Sequence, residues 1–180
     1  MTALVCVTGR FQPVHRQHLE LFEIALRDAD HLVVAVTNPD PGARHEEATS
    51  QHRHRASANP FTYFERAWLL AVALAERDLT GRSTVVPFDL TRPQHWHEYV
   101  PQAARQVVRA YSDWERHKAR LLADGGYEVL LLDGDPAGHV SASEIRRRFA
   151  AGEAWEELVT TASVPLLREL LTAHGARDDQ

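Results

Sequence analysis

Apolar and polar positions follow two different rhythms along this chain. Leu4-Val5-Cys6-Val7 and His31-Leu32-Val33-Val34-Ala35-Val36 are unbroken apolar runs of strand length, the pattern of strands covered on both faces of a parallel sheet. Between them Leu19, Leu21, Phe22, Ala25, Leu26 and Ala29 recur at helical spacing. Strand, helix and strand in that order predict a right-handed βαβ unit. Residues 83–89, 106–111 and 127–132 supply three further strands. Thr62 and Glu65, at the spacing of a capping box, open a second helix whose apolar face is Phe64, Ala67, Trp68, Ala71, Val72 and Ala75. The helical stretch from Trp114 to Ala123 stops at Gly125-Gly126, and Ser141 with Glu144 opens another helix. The expectation is an α/β fold with a five-stranded parallel sheet flanked by helices.

Residues 40–58 break the rhythm with a long polar segment that holds Arg44, His45, His52, Arg53, His54 and Arg55 beside Glu46 and Glu47. Loops of this length inside a compact domain are uncommon. Three readings stand: a passive surface loop, a lid that brings Arg53 and Arg55 to an anionic substrate, and a metal site through His52 and His54. The metal reading has no further ligands at a recognisable spacing.

Composition narrows the picture. With 180 residues and 44% hydrophobic content the chain suffices for one well-cored domain, 1–180, with the 40–58 loop as an expansion. A formal charge of −5 gives no support to a nucleic-acid-binding face. The single cysteine, Cys6, leaves no internal disulfide and suits a reducing cytoplasm, the expected location. No apolar run approaches a membrane span, and no secretory leader is recognisable.

The candidate chemistry sits at strand ends, where parallel sheets bind their ligands. Gly9-Arg10-Phe11-Gln12-Pro13-Val14-His15-Arg16-Gln17-His18 joins the first strand to the first helix. Two histidines three residues apart in a first helical turn share a face with the unpaired backbone N–H groups there. Phosphate at that point would meet main-chain donors, the positive end of the helix dipole and two imidazoles. Gly9 would permit close backbone approach and Arg10 would add a cation. Near the other end, His139-Val140-Ser141-Ala142-Ser143-Glu144-Ile145-Arg146 is a serine-rich helix start with an arginine one turn in. Hydroxyls, main-chain donors and a planar guanidinium suit a polyphosphate.

Together these stretches resemble the two signatures of the nucleotidyltransferase superfamily, most closely the archaeal-type nicotinamide mononucleotide adenylyltransferases. The first signature also occurs in class I aminoacyl-tRNA synthetases, whose lysine-rich second signature and anticodon domain are absent here. Asn59-Pro60-Phe61-Thr62 with Glu65-Arg66, and Arg147-Arg148-Phe149 through Trp155, also look like the archaeal-type enzymes. The resemblance implies a Rossmann-like fold and transfer of a nucleoside monophosphate from a triphosphate to a phosphate or phosphonate, with release of pyrophosphate. It implies that His15 and His18 donate to the α-phosphate. Arg10, Ser141, Ser143 and Arg146 hold the triphosphate, with Gly9, Phe11, Gln17 and Asp133 around the nucleotide. On the acceptor side stand Thr91, Trp96 and Tyr111, Trp96 matching a tryptophan that holds the nicotinamide ring, with packing on the sheet as its other reading. Mg2+ is expected with the triphosphate and without direct protein ligands. The expected partners are a nucleoside triphosphate and a small anionic acceptor, with no nucleic acid and no membrane; a homo-oligomer is left open.

Three departures from the archaeal-type pattern bear on the substrates. Gln17 replaces a glycine where the backbone runs close to the nucleotide, which would crowd a purine. Thr91 replaces the asparagine that reads a carboxamide. The 40–58 loop is long and cationic. Members resembling this family also activate small phosphonates with CTP in natural-product pathways. The leading reading is a cytidylyltransferase acting on a phosphonoformate-type acceptor; the alternative is an ATP-dependent nicotinamide mononucleotide adenylyltransferase. A nucleotide-binding regulator without turnover is a distant third, since a sensor needs only one of the two phosphate grips.

Overall fold

A computed structural model describes residues 3–46, 48–49 and 54–178. Five parallel strands, β1 (Leu4–Gly9), β2 (His31–Thr37), β3 (Ser83–Phe88), β4 (Arg105–Ala110) and β5 (Val129–Asp133), form one sheet in the order β3-β2-β1-β4-β5. Among the described residues six α-helices accompany them: α1 (Arg16–Ala25), α2 (Tyr63–Glu76), α3 (Trp96–Tyr99), α4 (Asp113–Asp124), α5 (Ala142–Ala150) and α6 (Val164–Asp178). This is the Rossmann-like α/β fold expected from the sequence. Within the 40–58 segment the described residues include single 3-10 turns over Pro41–Ala43 and Ala56–Ala58.

The period of two in a strand explains why β1 and β2 read as continuous apolar runs. Val5, Val7, Leu32, Val34 and Val36 enter one core with α1, α2, α5 and α6 residues, whereas Cys6, Val33 and Ala35 enter a second core with Phe88, Trp96, Ala119 and Leu122. Cys6 is fully buried, and desolvation raises its thiol to about 12. The strand order reverses between β1 and β4, so a crevice opens beyond their carboxyl ends.

Two side chains fasten the loops around that crevice. Arg66, 1% exposed, donates to the carbonyls of Arg10 (2.9 Å), Thr37 (2.8 Å), Asn38 (2.8 Å) and Thr62 (3.2 Å). It thereby ties the exits of β1 and β2 to the start of α2, and desolvation lowers its pKa to about 10. Gln12 holds Phe61 at both main-chain groups, Nε2 donating to its carbonyl at 3.0 Å and Oε1 accepting its N–H at 2.9 Å. The capping box expected at Thr62 and Glu65 is present: the Thr62 N–H donates to Glu65 Oε2 at 2.7 Å and the Glu65 N–H to Thr62 Oγ1 at 3.2 Å.

Candidate active site

A cavity of about 220 Å³ lies over the β1/β4 crevice. Its lining includes Gly9, Arg10, Phe11, His15, Gln17 and His18 from the β1–α1 connection, and Ser141 and Ser143 from the start of α5. The first turns of α1 and α5 therefore open onto the same space.

His15 is the N-cap of α1 and His18 lies in its first turn. Their rings stack with centroids 3.7 Å apart, and Phe11 meets His18 edge-on at 4.9 Å. The His15 backbone N–H donates to His18 Nδ1 at 3.2 Å. An Nδ1 that accepts leaves the neutral ring's proton on Nε2, so His18 is set as a donor. Burial lowers the pKa of His15 to about 3, with His139 adding to the effect. Burial also puts His18 well below its ordinary value, helped by His15, Lys118, His139 and Arg109. Both rings are neutral at pH 7, and among the described residues His15 Nδ1 is buried without a hydrogen-bond partner.

At the other wall, Ser141 caps α5 by accepting the Glu144 N–H at 3.1 Å. Arg146 Nη2 donates to Ser143 Oγ at 3.3 Å, and its Nη1 to the Gln12 carbonyl, so the guanidinium bridges the two halves of the site. Arg10 Nη1 donates to the Ala58 carbonyl at 3.1 Å. Tyr111 lines the cavity with its ring parallel to that of His139, centroids 4.0 Å apart. Gly9 has a local reason for its identity: a Cβ there would come within 2.8 Å of the Phe11 ring, whose residue adopts φ 52°.

Four expected residues lie elsewhere. Trp96 is 4% exposed, packs on Phe88 and Tyr127 in the second core, and donates Nε1–H to the Asp89 carbonyl at 2.8 Å. Apolar burial has claimed most of its ring, and it lines a hollow of about 400 Å³ with Pro39, Asp40 and Tyr99, apart from the cavity that holds His15 and His18. Thr91 turns its hydroxyl to Asp89 Oδ1 at 2.6 Å and lines a separate hollow with Arg10 and Asn38. Asp133 pairs with Arg116 at 2.8 Å and lines a neighbouring hollow, outside the cavity wall. Arg55 is exposed and precedes the turn at Ala56–Ala58, and it too is absent from the lining. Arg53 and His52 fall outside the described residues.

Sequence reasoning gave no site role to several polar lining residues, among them Arg109, Glu115, Lys118 and His139. Lys118, 8% exposed, donates Nζ to the Thr8 carbonyl at 2.8 Å at the cavity floor. Its signal was visible, because Trp114, Lys118 and Leu122 form one buried i, i+4, i+8 stripe, on which a lysine is out of place. Arg109 likewise stands between buried Val108 and Ala110 in β4, and it bonds Glu20 and the Tyr111 hydroxyl at 3.3 Å each.

Paired helix N-termini, neutral imidazole donors and clustered cations fit a substrate with several phosphoryl oxygens. The family model described as cytidylyltransferase-like matches residues 6–148. The chain belongs to that family. It is a nucleotidyltransferase, as its relatives are. Phosphonoformate cytidylyltransferase of Streptomyces viridochromogenes is 34% identical over 164 residues, covering 91% of this chain and 89% of the relative. Nicotinamide-nucleotide adenylyltransferase of Thermococcus kodakarensis is 32% identical over 164 residues, covering 90% of this chain and 80% of the relative. Among solved structures, a bifunctional NMN adenylyltransferase/ADP ribose pyrophosphatase from Francisella tularensis aligns with a TM-score of 0.69 at 15% identity. That alignment covers 99% of this chain and 54% of the larger protein, so this chain spans about half its length and the likeness concerns the fold. Among the described residues no helix is long and apolar enough to cross a membrane.

Proposed function

We propose that this nucleotidyltransferase transfers CMP from CTP to a small phosphonate of the phosphonoformate type. The observation that carries the acceptor choice is the position of Trp96. At 4% exposure and with its indole N–H on Asp89, it gives the hollow it shares with Pro39, Asp40 and Tyr99 little ring surface on which a nicotinamide could stack, and Thr91, the residue at the carboxamide-reading position, is also turned to Asp89. The similarity to a phosphonoformate cytidylyltransferase supports the same choice. The similarity to archaeal nicotinamide-nucleotide adenylyltransferases keeps ATP and nicotinamide mononucleotide as the second reading.

In the mechanism a phosphonate oxygen, already anionic at neutral pH, attacks the α-phosphorus and pyrophosphate leaves. No general base is required; catalysis is positioning and charge stabilisation. His18 Nε2–H and His15 donate to the α-phosphate oxygens as charge grows on them. Ser141, Ser143, Arg146 and Arg10 hold the β- and γ-phosphates. Among the described residues no three His, Cys, Asp or Glu side chains converge as a metal cage. The cavity's carboxylate, Glu115, accepts from the Ser112 N–H and hydroxyl at 2.9 and 2.6 Å. This donor set fits Mg2+ carried in by the triphosphate, where it would neutralise phosphate charge.

Pyrophosphate release with Mg2+, crossing CTP and ATP with phosphonoformate and nicotinamide mononucleotide, tests the proposal. Turnover with CTP and phosphonoformate is expected; turnover confined to ATP with the mononucleotide refutes it. If Arg53 and Arg55 contact the acceptor, replacing both by alanine raises the acceptor KM and leaves that for CTP unchanged.

A further inference from the structure

Gln17 is the second residue of α1, between the two histidines, and its carboxamide is engaged at both ends. Nε2 donates to the Gly138 carbonyl at 2.7 Å, and Oε1 accepts the Val140 N–H at 3.0 Å. Those main-chain groups flank His139, whose ring lies flat on Tyr111, and Val140 precedes Ser141 at the start of α5. Gln17 therefore ties the first turn of α1 to the segment leading into α5, along the wall of the cavity.

We infer that Gln17 is a specificity-determining latch: its carboxamide covers a main-chain acceptor and donor that, once uncovered, pair with the amino edge of adenine. The inference rests on the cytidylyl-transfer reading and gives it a physical basis for base choice. A carboxamide presents an N–H donor beside an acceptor oxygen; adenine presents the same pair in its 6-amino group and N1, and cytosine in its 4-amino group and N3, so ring size rather than the edge separates these two bases. Gly138 O and Val140 N–H are complementary to the carboxamide or to such a base edge and cannot serve both at once. With the latch closed the space for a base ends at the Gln17 side chain, which suits a single ring. Hypoxanthine has the size of adenine but sets a carbonyl against Gly138 O and an N1–H against Val140 N–H, a mismatch at both contacts. ATP and ITP therefore separate an uncovered edge from a merely roomier cavity.

The test compares wild type with Gln17→Gly and Gln17→Ala, measuring kcat/KM for CTP, ATP and ITP with phosphonoformate as acceptor. Wild type is expected to use CTP and to use ATP and ITP about equally poorly. Both variants should gain at least about tenfold with ATP over ITP, the scale of one bidentate base contact. A purely structural role for Gln17 would not move that ratio. ATP and ITP rising together, or neither rising while CTP is still turned over, overturns the latch. Should a variant lose turnover with every nucleotide, calorimetric titration with ATP and ITP decides, and ATP binding no tighter than ITP overturns it. A wild type that prefers ATP to CTP refutes the cytidylyl reading and the latch together. A wild type that prefers CTP, with variants that do not separate ATP from ITP, refutes the latch alone.

Discussion

Replacing His18 by asparagine separates its catalytic duty from its structural one. An asparagine amide oxygen stands about as far from the backbone as imidazole Nδ1, so it still accepts the His15 N–H that His18 takes at 3.2 Å. The Nε2–H donor is lost. A donor aimed at charge that develops in the transition state is worth roughly 2.7–4 kcal/mol, so kcat should fall about 10²- to 10³-fold. Ground-state binding should change little, because the donor's benefit is realised only as charge grows on the α-phosphate. The variant also gives up the ring contacts with His15 and Phe11 at 3.7 and 4.9 Å. At about 0.5–1.5 kcal/mol per aromatic pair, that cost is too small to unfold a domain of ordinary stability. Steady-state pyrophosphate release at saturating CTP and acceptor gives kcat, calorimetric titration gives the CTP affinity, and urea denaturation confirms folding. A folded variant whose kcat drops less than about fivefold would refute the assignment of His18 as a transition-state donor.

The same burial predicts acid lability. The folded pKa of His15 is about 3 and an unfolded histidine titrates near 6.5, so below pH 6.5 the unfolded chain takes up a proton that the native state does not. Stability then falls as pH drops from 6.5 towards 3, by about 1.4 kcal/mol per pH unit from His15, with His18 acting in the same direction. Urea midpoints between pH 7 and 4 should fall less steeply in His18→Asn, and parallel curves would contradict this account. Arg66→Met removes a charged donor from the carbonyls of Arg10, Thr37, Asn38 and Thr62. At roughly 1–3 kcal/mol for each carbonyl left dry, partly recovered by entering water, the loss should reach about 3–5 kcal/mol in chemical denaturation. Cys6, fully buried with its thiol raised to about 12, should resist an aromatic disulfide reagent until urea unfolds the chain; reaction in native buffer would show the β1 core to be open.

The sheet was readable because parallel strands are covered on both faces and leave no polar positions to blur them; Val5 and Cys6 go to different cores, yet both must be apolar. Capping was readable at Thr62 and Glu65 because the motif is local. Helix α6 was harder, since its apolar residues mix with Arg168, Glu169 and His174 without a clean face; its Leu167 and Leu171 are buried by tertiary packing. The two stretches proposed to hold phosphate stood out through residue types that a turn does not otherwise need, but their supports did not. Gln12 and Arg66 act on main-chain groups 49 and 56 residues away, and no spacing rule reports such contacts.

Trp96 and Lys118 mark the boundary most clearly. A tryptophan beyond a strand end satisfies the same apolar demand whether it covers a core or a ligand, so its type carries no information about which; the bond to Asp89 and the burial beside Phe88 favour the core. A lysine on an apolar helical stripe differs, because burying a cation costs free energy that apolar packing cannot return. Lys118 meets that cost in part through the Thr8 carbonyl at the end of β1, at the floor of the cavity. The residue that violates the local pattern therefore points to the cavity more directly than one whose burial fits either role.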